Sequence, residues 1–367
     1  MSAVITDYRK ELALYADNYG TYSSLAEAQN ILGQEKEAKE TLQQWASVQP
    51  ESAAPGIALV SLLLDESHPM EAVDAALSGL ARLPYMSKSD QRLQLLTGKA
   101  QLAAGMTQKG ESTLLHLLHT TTDPGTMNDT AYELGKAGLD LSAAEAAARI
   151  ALADLTAESK TWTLQENAQN TLAKSRRVAS TWDTIGWILY RQGRIAEAES
   201  YIQPAWAKRE TAEIGEHLAE VAEAKGDLRE ALRLWELALA TYPNYLRPSV
   251  RKTPGATQKE ITNHIEAIRK GGGKEPDEDA NAVLERLRTV PLGSSGGFIG
   301  TAEYRLLLNN GEVLDIQKIS DKEIPAAREK IKVAKFPGYW PKGSEAQLVR
   351  DAMLNCHANV CELVLEP

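Results

Sequence analysis

The sequence predicts a mainly α chain: an α-solenoid of about six helix pairs, followed by a small C-terminal α+β domain of order β-β-α-β-β. Three observations predict it. Alanines and prolines recur at a near-constant spacing between Ala38 and Pro243. The text around each recurring alanine is similar. From Thr301 onward the pattern switches to short runs with strand character, separated by turn residues.

Ala38 and Ala72 are separated by the same interval as Pro50 and Pro84. The alanines sit in GQEKEAKETL and SHPMEAVDAAL. Farther on, GRIAEAESYI holds Ala198 and GDLREALRLW holds Ala231, one position short of that interval. Pro243 follows Ala231 at the same distance as Pro50 follows Ala38 and Pro84 follows Ala72. A period of about 34 residues is that of the tetratricopeptide (TPR) pattern, with two antiparallel helices, a tight turn, and Ala or Gly where helices cross. In one repeat Trp182, Ile185, Gly186, Ala198 and Ala205 hold signature positions. In the next they are Leu218, Ala219, Gly226, Ala231, Trp235, Ala238 and Pro243. Gly186, Ala198 and Ala205 are expected where a larger side chain would push two helices apart.

Repeats are placed at about 19–52, 53–86, 91–124, 125–158, 179–211 and 212–245, an array over 19–245. Residues 1–18 read as a leading helix. The third repeat is looser, with Gly98, Gly105 and Gly110 near the expected places. The fourth has a short first helix and an Ala-rich second one. TAESKTWTLQENAQNTLAKSRRVAS either extends that helix or inserts one. Residues 246–297 read as a capping helix, ATQKEITNHIEAIRK, then linkers and a short helix, NAVLERLRTV. PLGSSGGFIG is a second linker or a strand lead-in.

Residues 298–367 form the expected α+β domain. TAEYRLLL and EVLDIQKI are strands joined by Asn309-Asn310-Gly311, residues that tolerate positive φ. IPAAREKIKVAKF reads as one amphipathic helix with Pro325 near its first turn. AQLVRDAML and ELVLEP are two further strands, flanking NCHANVC. Cys356 and Cys361 bracket a short loop in that hairpin. Cysteines opposite each other across a hairpin can meet disulfide geometry. A bridge would mark an exported protein, and free or buried thiols are the alternative.

Composition narrows function. A net charge of −10 disfavours nucleic acid or an anionic membrane as partner. No apolar run reaches the roughly 18 residues of a membrane span. The opening residues lack a signal-peptide profile, which leaves a cytosolic protein or a mature form that begins after a leader.

Chemistry-bearing patterns are sparse. Neither cysteine has an evident base, and Cys356 and Cys361 with His357 lack two ligands for zinc. His116 and His119 share a helix face but have no completing ligands. The GGGK and GSSGG stretches lack the P-loop form, and His264 with Glu266 lacks the second histidine of a zincin. The sequence therefore predicts no enzyme, no cofactor and no metal.

Binding is the better expectation. In the last repeat the first helix reads EIGEHLAEVAEAKG, and Glu213, Glu216, Glu220 and Glu223 are spaced 3, 4 and 3, on one face. Ile214, Leu218 and Val221 take the other face. Asp183 holds a comparable position one repeat earlier, beside Trp187 and Tyr190. These seven residues are expected to line an acidic groove with aromatic walls that takes a basic or extended peptide; a solvated helix face is the alternative. Tyr339 and Trp340, in FPGYWPKG, form either an exposed aromatic anchor or a plug folded onto the sheet.

NDTAYELGKAGLDL, STWDTIGWILYRQG, IGEHLAEVAEAKGDLREALRLWELAL and the tail AEYRLLL…AKFPGYWPKGSEAQLVRDAMLNC…C resemble the C-terminal half of a family of exported bacterial TPR proteins. Longer members of that family carry a transglutaminase-like domain ahead of the repeats. The chain lacks that half, so the resemblance carries over no catalytic residue. The tail also resembles the C-terminal domain of TonB in its β-β-α-β order and FP-x-G link. The resemblance implies a non-enzymatic protein-interaction scaffold of an exported assembly, periplasmic, envelope-associated or extracellular. A cytoplasmic scaffold, an accessory half of a larger transglutaminase- or protease-like enzyme, and a self-associating subunit of an envelope or extracellular polymer are the alternatives.

Overall fold

The computed structural model describes residues 2–84, 90–242, 256–274, 278–295, 299–320, 324, 327–336, 340–357 and 360–366. Pro243, Pro325 and Tyr339, singled out above, lie outside the described residues. The chain forms two compact units, one of residues 1–143 with 243–256, the other of 144–242 with 257–367. The fold is a TPR-like array of helix pairs followed by a small antiparallel sheet domain.

In the first unit α1 (Ser2–Leu14) precedes three pairs: α2 (Tyr19–Ile31) with α3 (Glu35–Val48), α4 (Ala53–Asp65) with α5 (Pro69–Leu80), and α6 (Asp90–Ala103) with α7 (Thr107–Thr120). Helix α8 (Pro124–Ala137) follows. Starts are set by local chemistry. The Ser52 hydroxyl accepts from the Ala54 amide at 3.2 Å and the Asp123 carboxylate from the Thr126 amide at 2.8 Å, satisfying otherwise orphaned donors. Pro69 and Pro124 open their helices, where a missing N–H costs nothing. The core is Tyr22, Leu42, Val60, Leu63, Val73 and Leu93, with Ala38, Ala72 and Ala76 where helices meet. Gly98 and Gly110 are the tight crossing. A Cβ at Gly98 would lie 2.5 Å from Leu114 Cδ2, and one at Gly110 would lie 2.6 Å from Leu102 Cδ2.

The second unit takes α9 (Leu141–Ser159) from Ala144 onward. It continues with α10 (Ala168–Arg191), α11 (Ile195–Lys208), α12 (Ala212–Ala224), α13 (Leu228–Ala240), α14 (Ala256–Lys270) and α15 (Ala280–Arg288). The segment before the fifth repeat neither simply extends α9 nor forms a separate helix. It lengthens α10 to 24 residues at its N-terminal end, and the connector ahead of α10 buries Trp162 and Leu164. A Cβ on Gly186 would lie 2.4 Å from Ile202 Cγ1 and 3.0 Å from the Ala198 carbonyl oxygen. The small residues of this pair therefore stand at a real crossing, and Ala198 and Ala205 are fully buried beside it.

The sheet has strands β1 (Thr289–Ser294), β2 (Gly300–Asn309), β3 (Glu312–Lys318), β4 (Gln347–His357) and β5 (Val360–Leu365), in the order β1-β5-β4-β2-β3. Every neighbouring pair is antiparallel. Asn310 and Gly311 turn the β2–β3 hairpin with φ of 45° and 84°. Two expectations need correction. TVPLGS is a fifth strand, so the sheet begins at Thr289 instead of residue 298; its proline and glycine masked the strand pattern, and they sit at an edge strand with a register shift. The described helix between β3 and β4 is only α16 (Ala327–Lys332), one and a half turns, not the whole run to Phe336.

The sheet is fastened to the helices of its own unit by polar contacts. Strand β5 pairs with β4 only from Ala352 onward, which leaves the first half of β4 without that neighbour. Helix side chains take its place. The Gln347 amide donates to Ser159 Oγ at 2.9 Å and the Val349 amide to Ser175 Oγ at 2.6 Å, while Lys208 Nζ donates to the Val349 carbonyl at 3.3 Å. Arg350 donates to the Ala207 carbonyl at 3.0 Å. Buried backbone groups are thereby paired. Burial, reinforced by Arg350 and Arg176, holds the Lys208 pKa well below its usual range.

Candidate functional site

The predicted acidic face lies on α12. Three and four residues make roughly one turn, so Glu213, Glu216, Glu220 and Glu223 stack along one side while Leu218 and Ala222 take the opposite side. The Thr211 hydroxyl caps this helix. Glu213 is exposed, and the other three are half-buried. Helix α10 meets this face with Asp183, Trp187 and Tyr190, and α14 meets it with His264.

The centre is His217, which the sequence pattern does not single out. Its Nδ1 is 2.9 Å from Asp183 Oδ1, and both side chains are buried. Trp187 stacks on its ring, with centroids 4.1 Å apart and planes at 19°. Tyr190 stacks on Trp187 at 5.1 Å, and the Arg191 guanidinium lies 5.8 Å from the Trp187 centroid. Burial opposes the imidazolium, but Asp183, the hydrogen bond to it, Glu213 and Glu220 outweigh burial and raise the His217 pKa. Asp183 and His217 are 34 residues apart. They lie on the first helices of successive repeats but one position out of step, since Ala198 and Ala231 mark an interval one residue shorter.

The glutamates differ among themselves. Glu223 Oε1 accepts from the Trp235 indole and lies 3.0 Å from His264 Nδ1, whose ring stacks on Trp235 at 4.3 Å. The Tyr190 hydroxyl lies close enough to Glu220 to interact with its carboxyl. Burial raises the Glu220 pKa, against the pull of His217, Tyr190 and His264. Glu216 has least support. Its Oε1 is buried with no hydrogen-bond partner among the described residues. Burial, together with Glu213, Glu260 and Glu220 and against His217, pushes its pKa up to about 7.

Asp183, Trp187, Tyr190 and the four glutamates are thus brought together, but not as an open acid face with free aromatic walls. Asp183 and Trp187 form the buried base, and the glutamates stand above it. Such a face can hold a cation by charge and by aromatic contact. Among the described residues no group of three or more His, Cys, Asp or Glu is arranged to hold a metal ion.

Trp340 stands apart from this face. It is buried, and its indole donates to the Ala346 carbonyl at 2.8 Å, so it serves as the plug and not as an exposed anchor. Cys356 and Cys361 are register partners across the β4–β5 hairpin and are joined as a disulfide.

Antiparallel helix pairs with glycine and alanine at their crossings define a helical-repeat protein. Residues 178–213 match the family "Tetratricopeptide repeat". Among solved structures, a tetratricopeptide repeat protein from Parabacteroides merdae shares the fold at 12% identity and a TM-score of 0.51, over 72% of this chain and 91% of that one. The Cut9–Hcn1 hetero-tetramer of the APC/C is similar at 16% identity and a TM-score of 0.46, over 71% of this chain and 45% of that one. Pseudomonas aeruginosa pilF is similar at 18% identity and a TM-score of 0.39, over 67% of this chain and 96% of that one. No curated protein sequence matches the chain. TPR proteins bind protein partners, and the helical-repeat architecture here is compatible with that use. Among the described residues no helix is long and apolar enough to cross a membrane.

Proposed function

We propose that the protein is a non-enzymatic scaffold whose α10–α12–α14 face takes a basic, extended segment of a protein partner. The observation that carries this reading is Glu216, a half-buried carboxyl among three other glutamates, one of whose oxygens has no hydrogen-bond partner among the described residues. A carboxyl held near neutrality by burial and like charges gains stability when a lysine or arginine arrives, because the cation restores the ionised form. Binding a cation and releasing the Glu216 proton are linked. Affinity for an Arg/Lys-rich peptide is expected to rise with pH through about 7 and then level off. Fluorescence anisotropy with a labelled oligo-arginine peptide, from pH 5.5 to 8.5, checks this. Replacing Glu216 and Glu220 by Lys should weaken binding several-fold; an unchanged affinity, or a flat pH profile, would remove the reading.

The same proposal places the protein in an exported assembly. The Cys356–Cys361 disulfide supports it, since such bonds persist in oxidising compartments. The mass of the intact, non-reduced protein from its native host tests this. A mass two hydrogens below that of the dithiol is expected, and free thiols would favour a cytoplasmic scaffold.

A further inference from the structure

On the opposite side of α12 from the glutamates lies a cavity of about 700 Å³. It is bounded by α11, α12 and α13 on one wall and by α15, β1 and the end of α16 on the other. Its apolar lining includes Trp206, Leu218, Leu234 and Leu237. At the second wall Leu287 and Val333 are exposed to 41% and 74%, unusual for residues facing a common apolar space. Size and lining are those of a small-molecule site.

Charge is unevenly divided between the walls. The helical wall carries Lys225 and Arg233, each paired with a carboxylate in the same lining, Glu199 and Glu230. The other wall carries Arg286, Lys330 and Lys335, and no carboxylate. The partners of Arg286 and Lys335 are the exposed Glu278 and Glu312, outside the lining, and Lys330 reaches the Ser294 carbonyl. Exposed pairs of this kind hold their members weakly. The lining therefore has a cationic side in a chain whose net charge is −10. Trp206, also in the lining, has a buried indole N–H without an acceptor among the described residues. An added peptide strand fits poorly, because Pro291 in the edge strand β1 offers no N–H.

We propose that this cavity binds a small amphipathic anion, an apolar chain ending in a carboxylate, with the chain among Trp206, Leu234 and Leu237 and the head group at Arg286, Lys330 and Lys335. The site is independent of the glutamate face, so either can fail alone. Calorimetric titration of the full chain with dodecanoate, kept below its micelle concentration, tests it against dodecyltrimethylammonium. One saturable site is expected, with dodecanoate at least tenfold tighter than the ammonium. Lys330→Glu with Lys335→Glu should weaken dodecanoate at least fivefold, and Val333→Trp, which crowds the mouth from an exposed position, should weaken both ligands. Thermal unfolding of the variants should match the parent. No saturable binding, indifference to head group, or variants that bind like the parent would overturn the proposal. So would a Val333-dependent dimer in light scattering, which would assign the surface to a second copy of the chain.

Discussion

Where α10 crosses α11, nothing polar connects the helices at the closest point: a glycine faces an isoleucine and an alanine carbonyl, and contact itself is the interaction. Where β4 meets the same two helices, a serine hydroxyl and a lysine amine hold one backbone amide and carbonyl, and Arg350 holds the Ala207 carbonyl. The first region depends on the absence of atoms, the second on particular atoms being present. An array stacked by close approach is sensitive to added volume. A sheet edge completed by side chains is sensitive to the loss of a single hydrogen-bonding atom.

Adding volume at the crossing is expected to have the largest effect. Gly186→Val should destabilise the protein by about 3 kcal/mol, since Ile202 and the Ala198 carbonyl would both have to move. Urea unfolding followed by circular dichroism measures this; a loss below about 1 kcal/mol would mean that the crossing yields easily. Removing an atom at the seat of the sheet comes next. Ser175→Ala leaves the Val349 amide without its partner and should cost about 2 kcal/mol. Faster hydrogen exchange is expected in β4, with the α10–α11 pair unchanged. Equal acceleration in both regions would show that the two are not separate in kind.

The smallest effect concerns the groove and depends on pH. Glu216 has a folded-state pKa of about 7, above its ordinary value of 4.5. The folded state therefore holds a proton that the unfolded state releases between these values. Its contribution to stability is present below about pH 4.5 and is lost as pH rises toward 7. Solvent screening at this half-buried group cuts the full linkage value of about 3 kcal/mol, so Glu216→Gln should raise stability by about 1 kcal/mol more at pH 8 than at pH 5. Chemical unfolding at the two pH values checks the sign, and an equal effect at both would move the burden to another carboxylate.

The helical array was legible because its cause is periodic. The same small residue is needed at each crossing, so Ala38, Ala72, Ala198 and Ala231 mark the units by their spacing alone. The glutamate stripe was legible for the same reason, since helix geometry alone puts Glu213, Glu216, Glu220 and Glu223 on one side. His217 was missed because a lone histidine in a helix has no local signature, and its partner Asp183 lies on a different helix. Trp340 shows the other limit. Flanking prolines indicate a loop, but only packing says that its ring turns inward.

The sequence by itself determined the helix pairs, their glycine and alanine crossings, the β2–β3 turn and the facing cysteines, because each is set by residues within one repeat or one hairpin. Only the tertiary structure decided that TVPLGS is a strand, that Lys208 and Ser175 complete β4, and that one Glu216 oxygen has no partner among the described residues. The Lys208–Val349 and Ser175–Val349 contacts join residues 141 and 174 positions apart. No local pattern encodes the meeting of such distant groups. Nor does one encode the loss of solvent that makes a surface-type residue such as lysine or glutamate change its pKa.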